Sequence, residues 1–293
     1  MRILNIDSQM LNMIQMCARK MQYSFIYNLQ PHEKEEALEK GDLMHKMLEV
    51  YYSMKLDGGP DRQSPIWQEL IVGAGISPDG DMVDVGVDAG LYFASTMSIP
   101  SQVAEEVIDQ FKAYADYYAH DDWHPIAVEE VGSKVLYQSD DFKIVYSFKI
   151  DLVAEKGRII APFDHKTGAR RQEPTSLSNQ FIGYCYALGT ENIIVNKIGF
   201  QKTLKPAERF QRYILTVDKE RIREWEENSI YWAMQYAQYW KDDFFPMNLT
   251  SCDKYSGCIF KRICETDPDN RAWKLKRDFT TVDQWDVAKT LEK

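Results

Sequence analysis

Residues 146–188 read YSFKIDLVAEKGRIIAPFDHKTGARRQEPTSLSNQFIGYCYAL. Alternation with a period of two puts Tyr146, Phe148 and Ile150 on one face of a strand. Asp151 falls on the opposite face, at or near the strand end. Glu155, Lys156 and Gly157 supply a turn, and the apolar run from Ile159 to Phe163 returns beside the first strand. That return brings Asp164 near Asp151. Two carboxylates at neighbouring strand ends repel each other unless a cation lies between them. A hard divalent ion such as Mg²⁺ or Mn²⁺ suits their oxygens. Lys166 stands two residues past Asp164 and so points to the same side of the strand. Its ammonium can hold a water or stabilise a developing negative charge. Beyond it, Ser176 to Leu188 reads as a helix with Gln180 and Tyr184 one turn apart.

Three elements of this stretch, Ile150-Asp151, Asp164-His165-Lys166-Thr167-Gly168 and Gln180-x-x-x-Tyr184, resemble the PD-(D/E)XK nuclease superfamily in its RecB-like branch. A D-x-K triplet alone is common. D-x-K-T-G after an apolar run, with an Asp upstream and Q-x-x-x-Y downstream, is specific. The resemblance implies an α/β fold: a central mixed β-sheet flanked by helices, a restriction-endonuclease-like core. An N-terminal helical part and a Cys-rich C-terminal tail accompany it. It also implies a metal-dependent DNA nuclease, an exonuclease on DNA ends or single strands. By the same resemblance, His45, Asp151, Asp164 and the His165 carbonyl hold Mg²⁺ or Mn²⁺. Lys166 positions or activates the water, and Gln180 and Tyr184 orient Lys166 or the DNA strand. The competing reading is a catalytically silent DNA-end-binding or partner-binding module on the same fold. The complete set of acids and lysine argues against it. A phage, recombination or CRISPR-adaptation setting, with a protein partner, is implied by resemblance only.

The whole chain bounds these readings. Its 293 residues are 44% hydrophobic and 27% charged, ordinary for a globular protein. No run of apolar residues is long enough to span a membrane, and the N-terminus lacks a signal-peptide pattern. We therefore expect a cytoplasmic protein with reduced thiols. The net charge of −10 gives no bulk attraction to nucleic acid. Between Lys166 and Thr216, however, Lys166, Arg170, Arg171, Lys197, Lys202, Lys205, Arg209 and Arg212 face only Glu173, Glu191 and Glu208. That local excess is compatible with phosphate contacts, and equally with a solvated basic face.

One nuclease domain, 1–293, is expected, with helices over 1–124, the core sheet over 125–217, and a long helix and tail over 218–293. Helices are expected over 8–29, 33–54 and 101–120; the valines of Met82 to Ala94 suit a strand while Val83, Val87, Gly90 and Leu91 also fit a helical face, and the resemblance, which implies a helical insertion here, favours helix. The second helix carries His45, four residues after Gly41; as a lone helical histidine it would be structural, and only its company makes it a ligand. Val103, Val107, Phe111, Tyr114 and Tyr118 form a stripe read as core without chemistry. Strands are expected over 127–131, 134–138 and 142–154, separated by turns at Gly132-Ser133 and Ser139-Asp140-Asp141. Glu129 and Glu130 receive no role. The stripe Ile222, Trp225, Ser229, Trp232, Ala233, Tyr236 and Trp240 of the long helix reads as core, with base stacking as the alternative.

Cys252, Cys258 and Cys264 recur at intervals of six in the tail. With Cys17 they total four soft ligands, the number for a [4Fe–4S] cluster or a structural Zn²⁺. Cluster-bearing RecB-like nucleases, AddB and the CRISPR-associated enzymes among them, use one N-terminal and three C-terminal cysteines. The Cys258-x5-Cys264 interval resembles their last pair, whereas Cys252-x5-Cys258 is longer than their usual two-residue gap. Cluster, zinc and plain core thiols stay open. Cys185 is the odd thiol, expected to be buried.

Overall fold

The computed structural model describes residues 2–32, 35–168, 173–254 and 257–283. Glu33, Arg170 and Arg171, which entered the expectations above, lie outside the described residues. In chain order the elements are β1 (Arg2–Ile6), α1 (Ser8–Met16), α2 (Ala18–Met21), β2 (Leu29–Pro31), α3 (Glu36–Ser53) and α4 (Pro65–Gln68). Next come α5 (Met82–Thr96), α6 (Ser101–Tyr117), β3 (His124–Gln138), β4 (Phe142–Lys156), β5 (Ile159–Thr167) and α7 (Asn179–Leu188). The remainder are β6 (Asn192–Ile198), α8 (Pro206–Arg209), β7 (Phe210–Thr216), α9 (Lys219–Lys241), α10 (Lys261–Cys264), α11 (Pro268–Asp278) and β8 (Phe279–Thr281).

The chain forms two compact units, each assembled from separate segments. The larger comprises Glu35–Glu130 and Lys149–Asp218. Within it the second half of β4 pairs antiparallel with β5, β5 runs parallel to β6, and β6 pairs antiparallel with β7. The sheet is therefore mixed. Its apolar face, including Leu152, Ala154, Ala161, Phe163, Ile194 and Phe210, packs under α3, α5 and α6 in one core. The expected stripe of α6 lies in or against that core, and Phe111 and Tyr114 are fully buried there. Burial of such side chains is the main force holding the helices to the sheet, at about 1.5–3 kcal/mol each. Gly41 lets α3 come close to the sheet: a Cβ there would stand 3.0 Å from Thr167 Oγ1 at the end of β5.

The smaller unit comprises Met1–Lys34, Val131–Phe148 and Lys219–Lys293. Here β1, a strand the sequence reading did not place, runs parallel to the first half of β4 from Arg2–Phe142 to Ile6–Tyr146. Asp7 ends that strand and caps α1, accepting the Met10 backbone N–H at 2.7 Å. Ile14, Ala18 and Met21 pack against Tyr236 and Phe245.

Three local expectations are corrected. The single helix over 8–29 breaks at Cys17, whose backbone is extended. No turn forms at Gly132-Ser133: β3 continues through both residues, and the glycine is needed because the Phe148 ring lies where a Cβ would stand. In the long helix, Trp225, Ser229, Ala233 and Tyr236 are buried as expected, but Trp240 is half exposed.

Candidate active site

The register of the hairpin sets the site. Pairing runs from Lys156–Ile159 up to Leu152–Phe163, so the next rung would place Asp151 opposite Asp164 on the same face. Asp151 sits inside β4, not at its end as its sequence context suggested. Its Oδ2 accepts the backbone N–H of His165 at 2.7 Å. Asp164 is only 1% exposed. Its Oδ1 accepts from Lys166 Nζ at 3.0 Å. Its Oδ2 lies 2.8 Å from the same ammonium but receives no hydrogen bond in proper geometry. Burial, and next the Asp164 carboxylate, push the Asp151 carboxyl far above the usual range, to about 7, while His45 and the His165 N–H pull it down.

Helix α3 supplies His45, whose Nδ1 is 3.8 Å from Asp151 Oδ1. The His45 ring lies edge-on to His165 with centroids 6.0 Å apart. The His165 ring itself turns into the core. Its Nδ1 faces Asn196 Nδ2 at 2.8 Å, and burial, then the charges of His45, Arg212 and Lys166, hold it well below the usual imidazole range.

Helix α7 approaches the opposite side of β5, started by Ser178, whose side chain caps the Phe181 N–H. Lys166 Nζ donates to Gln180 Oε1 at 2.9 Å. Gln180 Nε2 donates to Tyr184 Oη at 3.0 Å, and Tyr184 Oη donates to the Lys149 carbonyl at 2.5 Å. The direction of each bond is determined. A carbonyl only accepts, so the tyrosine oxygen must receive from the amide nitrogen, which leaves the amide oxygen for the lysine. The Q-x-x-x-Y helix thus fixes the lysine of D-x-K relative to strand β4.

Two acids and a lysine around this centre were not given roles by the sequence. Glu49 follows His45 by one helical turn, and burial, then Glu129, raise its carboxyl. Its four-residue spacing from His45 was the readable signal. Glu129 has a left-handed backbone, φ 52°, inside β3. It forms an ion pair with Lys149. That backbone kink has no signature in the local sequence.

All five residues of the expected catalytic set, Asp151, Asp164, Lys166, Gln180 and Tyr184, are brought together in the larger unit, with His45 beside Asp151. Among the described residues, though, no three His, Cys, Asp or Glu side chains are gathered into a formed metal centre. The donors fit a hard divalent ion in kind: two buried carboxylates that repel each other, one with an oxygen that no hydrogen bond satisfies. His45 and Asp151 would share such an ion with Asp164.

In the smaller unit, Cys17 sits at the break between α1 and α2 and accepts the Asn248 N–H at 3.4 Å. Cys258 donates its N–H to the Cys252 carbonyl at 2.8 Å, and Cys264 closes α10. Burial raises the Cys252 and Cys264 thiols, and each is raised further by both Cys258 and Cys17. All four are free thiols, and among the described residues no three of them are gathered closely enough to hold a metal. The thiol of Cys185 is buried and pushed up to about 12.

A family model of the PD-(D/E)XK nuclease superfamily matches residues 9–265. No curated protein matches. Among solved structures, one titled "Putative exonuclease" from Eubacterium rectale is similar at 10% identity, with a TM-score of 0.45, 85% of this chain and 86% of that chain covered. The protein SSO0001 is similar at 14% identity, with a TM-score of 0.33 over 78% of this chain and 96% of that one.

Proposed function

Since the chain belongs to the PD-(D/E)XK nuclease superfamily, we propose that it is a divalent-metal-dependent deoxyribonuclease acting as an exonuclease on DNA ends or single strands. The observation that carries this reading is the convergence of Asp151, Asp164 and Lys166 on one face of a hairpin, with Lys166 held from α7. A nuclease must place a nucleophilic water against a phosphorus whose equatorial oxygens gain charge. His45, Asp151 and Asp164, with the His165 carbonyl, would hold Mg²⁺ or Mn²⁺, which when bound polarises the phosphate and lowers the pKa of water.

The chain's own residues do the rest. Gln180 Oε1 and Asp164 Oδ1 hold the Lys166 ammonium from two sides. An ammonium so held carries its remaining N–H towards the attacking water or a phosphate oxygen. Asp151 keeps the end of the hairpin registered by accepting from the strand that carries Asp164. Lys149, ion-paired with Glu129 and half exposed, is a second cation on the rim for the nucleic-acid backbone. A silent binding module has no need of Asp164 and Lys166 in this arrangement.

The test is cleavage of end-labelled linear DNA with Mn²⁺ or Mg²⁺ and with chelator. Wild-type protein should shorten the strand only with metal. Asp164→Ala and Lys166→Ala should abolish cleavage and leave the fold intact, the first by removing a ligand and the second by removing the cation at the water. Robust cleavage by either variant refutes the assignment. The labelled end that is lost gives the polarity.

A further inference from the structure

Behind Asp164-His165-Lys166 lies a buried polar network that the reaction above does not use. The parallel register of β5 and β6 sets His165 beside Asn196. Asn196 is fully buried. Its Nδ2 donates to Tyr114 Oη at 2.7 Å and faces His165 Nδ1 at 2.8 Å. Tyr114 Oη meets Tyr52 Oη at 2.5 Å. Arg212 Nη2 donates to Tyr52 Oη at 3.3 Å, and Arg212 Nε donates to Asn196 Oδ1 at 3.4 Å. The hydrogen bonds close a ring: Asn196, Tyr114, Tyr52, Arg212 and back to Asn196. One arm reaches His165; the other is the ion pair of Arg212 Nη1 with Asp121 at 2.7 Å. The Tyr52 ring also stacks on His165, 13° from parallel.

This ring has a determined polarity. A guanidinium only donates, so Asn196 must turn its oxygen to Arg212. Its NH₂ group then faces both Tyr114 and His165, and His165 Nδ1 must accept. The imidazole is left with its proton on Nε2. The backbone N–H of the same residue donates to Asp151, and its flanking residues are Asp164 and Lys166.

We infer that Asn196 and Arg212 are positioning residues for the reactive strand: their closed ring clamps the His165 imidazole in one tautomer and orientation, and so fixes the backbone that presents Asp164 and Lys166 and donates to Asp151. The inference rests on the proposed role of those three residues. Asn196 is fully buried and the Arg212 side chain nearly so, which leaves them to act through His165 rather than on the substrate itself. Outer partners of this kind commonly set ligand geometry, and their loss costs about 10- to 100-fold in metal affinity or activity.

Asn196→Asp and Asn196→Leu test it, with Arg212→Lys as a third variant. Asn196→Asp keeps size and the pairing with Arg212 but replaces the donor facing His165 by an acceptor, so it reverses the contact with little change of volume. Three readouts are needed: Mn²⁺ affinity by electron paramagnetic resonance, the single-turnover rate and KM for linear DNA, and Tm. The expected result is a loss of about tenfold or more in Mn²⁺ affinity and in rate, with KM little changed. Arg212→Lys should shift both in the same direction, because it keeps the charge for Asp121 and loses the fork to Asn196. Should Asn196→Leu fail to fold, Asn196→Asp decides. Variants with lowered Tm but wild-type Mn²⁺ affinity and rate would make the network purely structural and overturn the inference. An Asp164→Ala control separates the two levels. If it binds Mn²⁺ like wild type, the site reading fails and this inference with it. If it loses Mn²⁺ while the Asn196 variants keep it, only the positioning role fails.

Discussion

Tyr184→Phe removes a single oxygen and interrupts the link between helix α7 and strand β4. In the wild type that oxygen donates to the Lys149 carbonyl at 2.5 Å and accepts from Gln180 Nε2 at 3.0 Å. The tyrosine is 4% exposed, so water does not readily replace either bond. At about 1 kcal/mol for each bond, the substitution should cost about 1–3 kcal/mol of stability. For a chain of this size that lowers Tm by about 2–4 °C per kcal/mol. The larger effect should fall on catalysis. Gln180 loses the partner that dictates which way its amide faces, so its NH₂ group is free to turn towards Lys166, where a donor would repel the ammonium. A misplacement of about 1 Å at a reacting group can cost on the order of 100-fold, or about 2.7 kcal/mol in the barrier. The assay is single-turnover cleavage of end-labelled DNA at saturating Mn²⁺, beside a thermal melt. Gln180→Leu should show a similar loss of rate, and the double variant should lose little more than either single one, since both break the same chain of bonds. A Tyr184→Phe protein with the wild-type rate, whatever its Tm, would refute the claim that this helix orients Lys166.

The other expectations are independent of that relay. His45→Ala should weaken Mn²⁺ binding more than DNA binding, because His45 stands by Asp151; an unchanged Mn²⁺ titration would return it to a structural role. Raised in the folded state, the Asp151 carboxyl contributes stability that is fully present below the usual carboxylate range and is lost as the pH climbs to about 7. Divalent metal should therefore raise Tm more at about pH 8 than at about pH 5; equal shifts would show that Asp151 is not in contact with the ion. Cys258→Ser tests the tail. If Cys17, Cys252, Cys258 and Cys264 hold a [4Fe–4S] cluster, wild-type protein purified without oxygen is brown and the variant is bleached and prone to aggregate. One zinc per colourless chain would indicate a Zn²⁺ site instead, and neither metal would make these cysteines core thiols.

The sequence by itself was enough to bring the residues of the proposed site together. An alternating run, a turn and a second apolar run make a hairpin whatever surrounds them, because strand period and turn composition are local properties. The hairpin's two-fold pleat then puts Asp151, Asp164 and Lys166 on a common side, and four-residue spacing puts Gln180 and Tyr184 on one helical face. The core stripe of α6 was legible for the same reason, whereas periodicity left Met82 to Ala94 between strand and helix and only the family resemblance favoured the helix it forms. What failed were breaks and continuations decided by distant packing. Cys17 interrupts a helix that periodicity would continue, and Gly132 lies inside a strand, where it leaves room for the Phe148 ring. Tertiary structure alone decided the electrostatics of the site. Glu49 and Glu129 come from opposite ends of the larger unit's first segment, and the second is turned by a left-handed backbone that its sequence does not announce. Tyr114 read as plain core, yet its hydroxyl joins Asn196, Tyr52 and Arg212 behind the reactive strand. Residues from α3, α6, β6 and β7 meet there only because the parallel β5–β6 pairing and the helices above it bring them to one point. Hydrogen bonds and charge repulsion depend on that distance and burial, and neither is written in the spacing of residues along a chain.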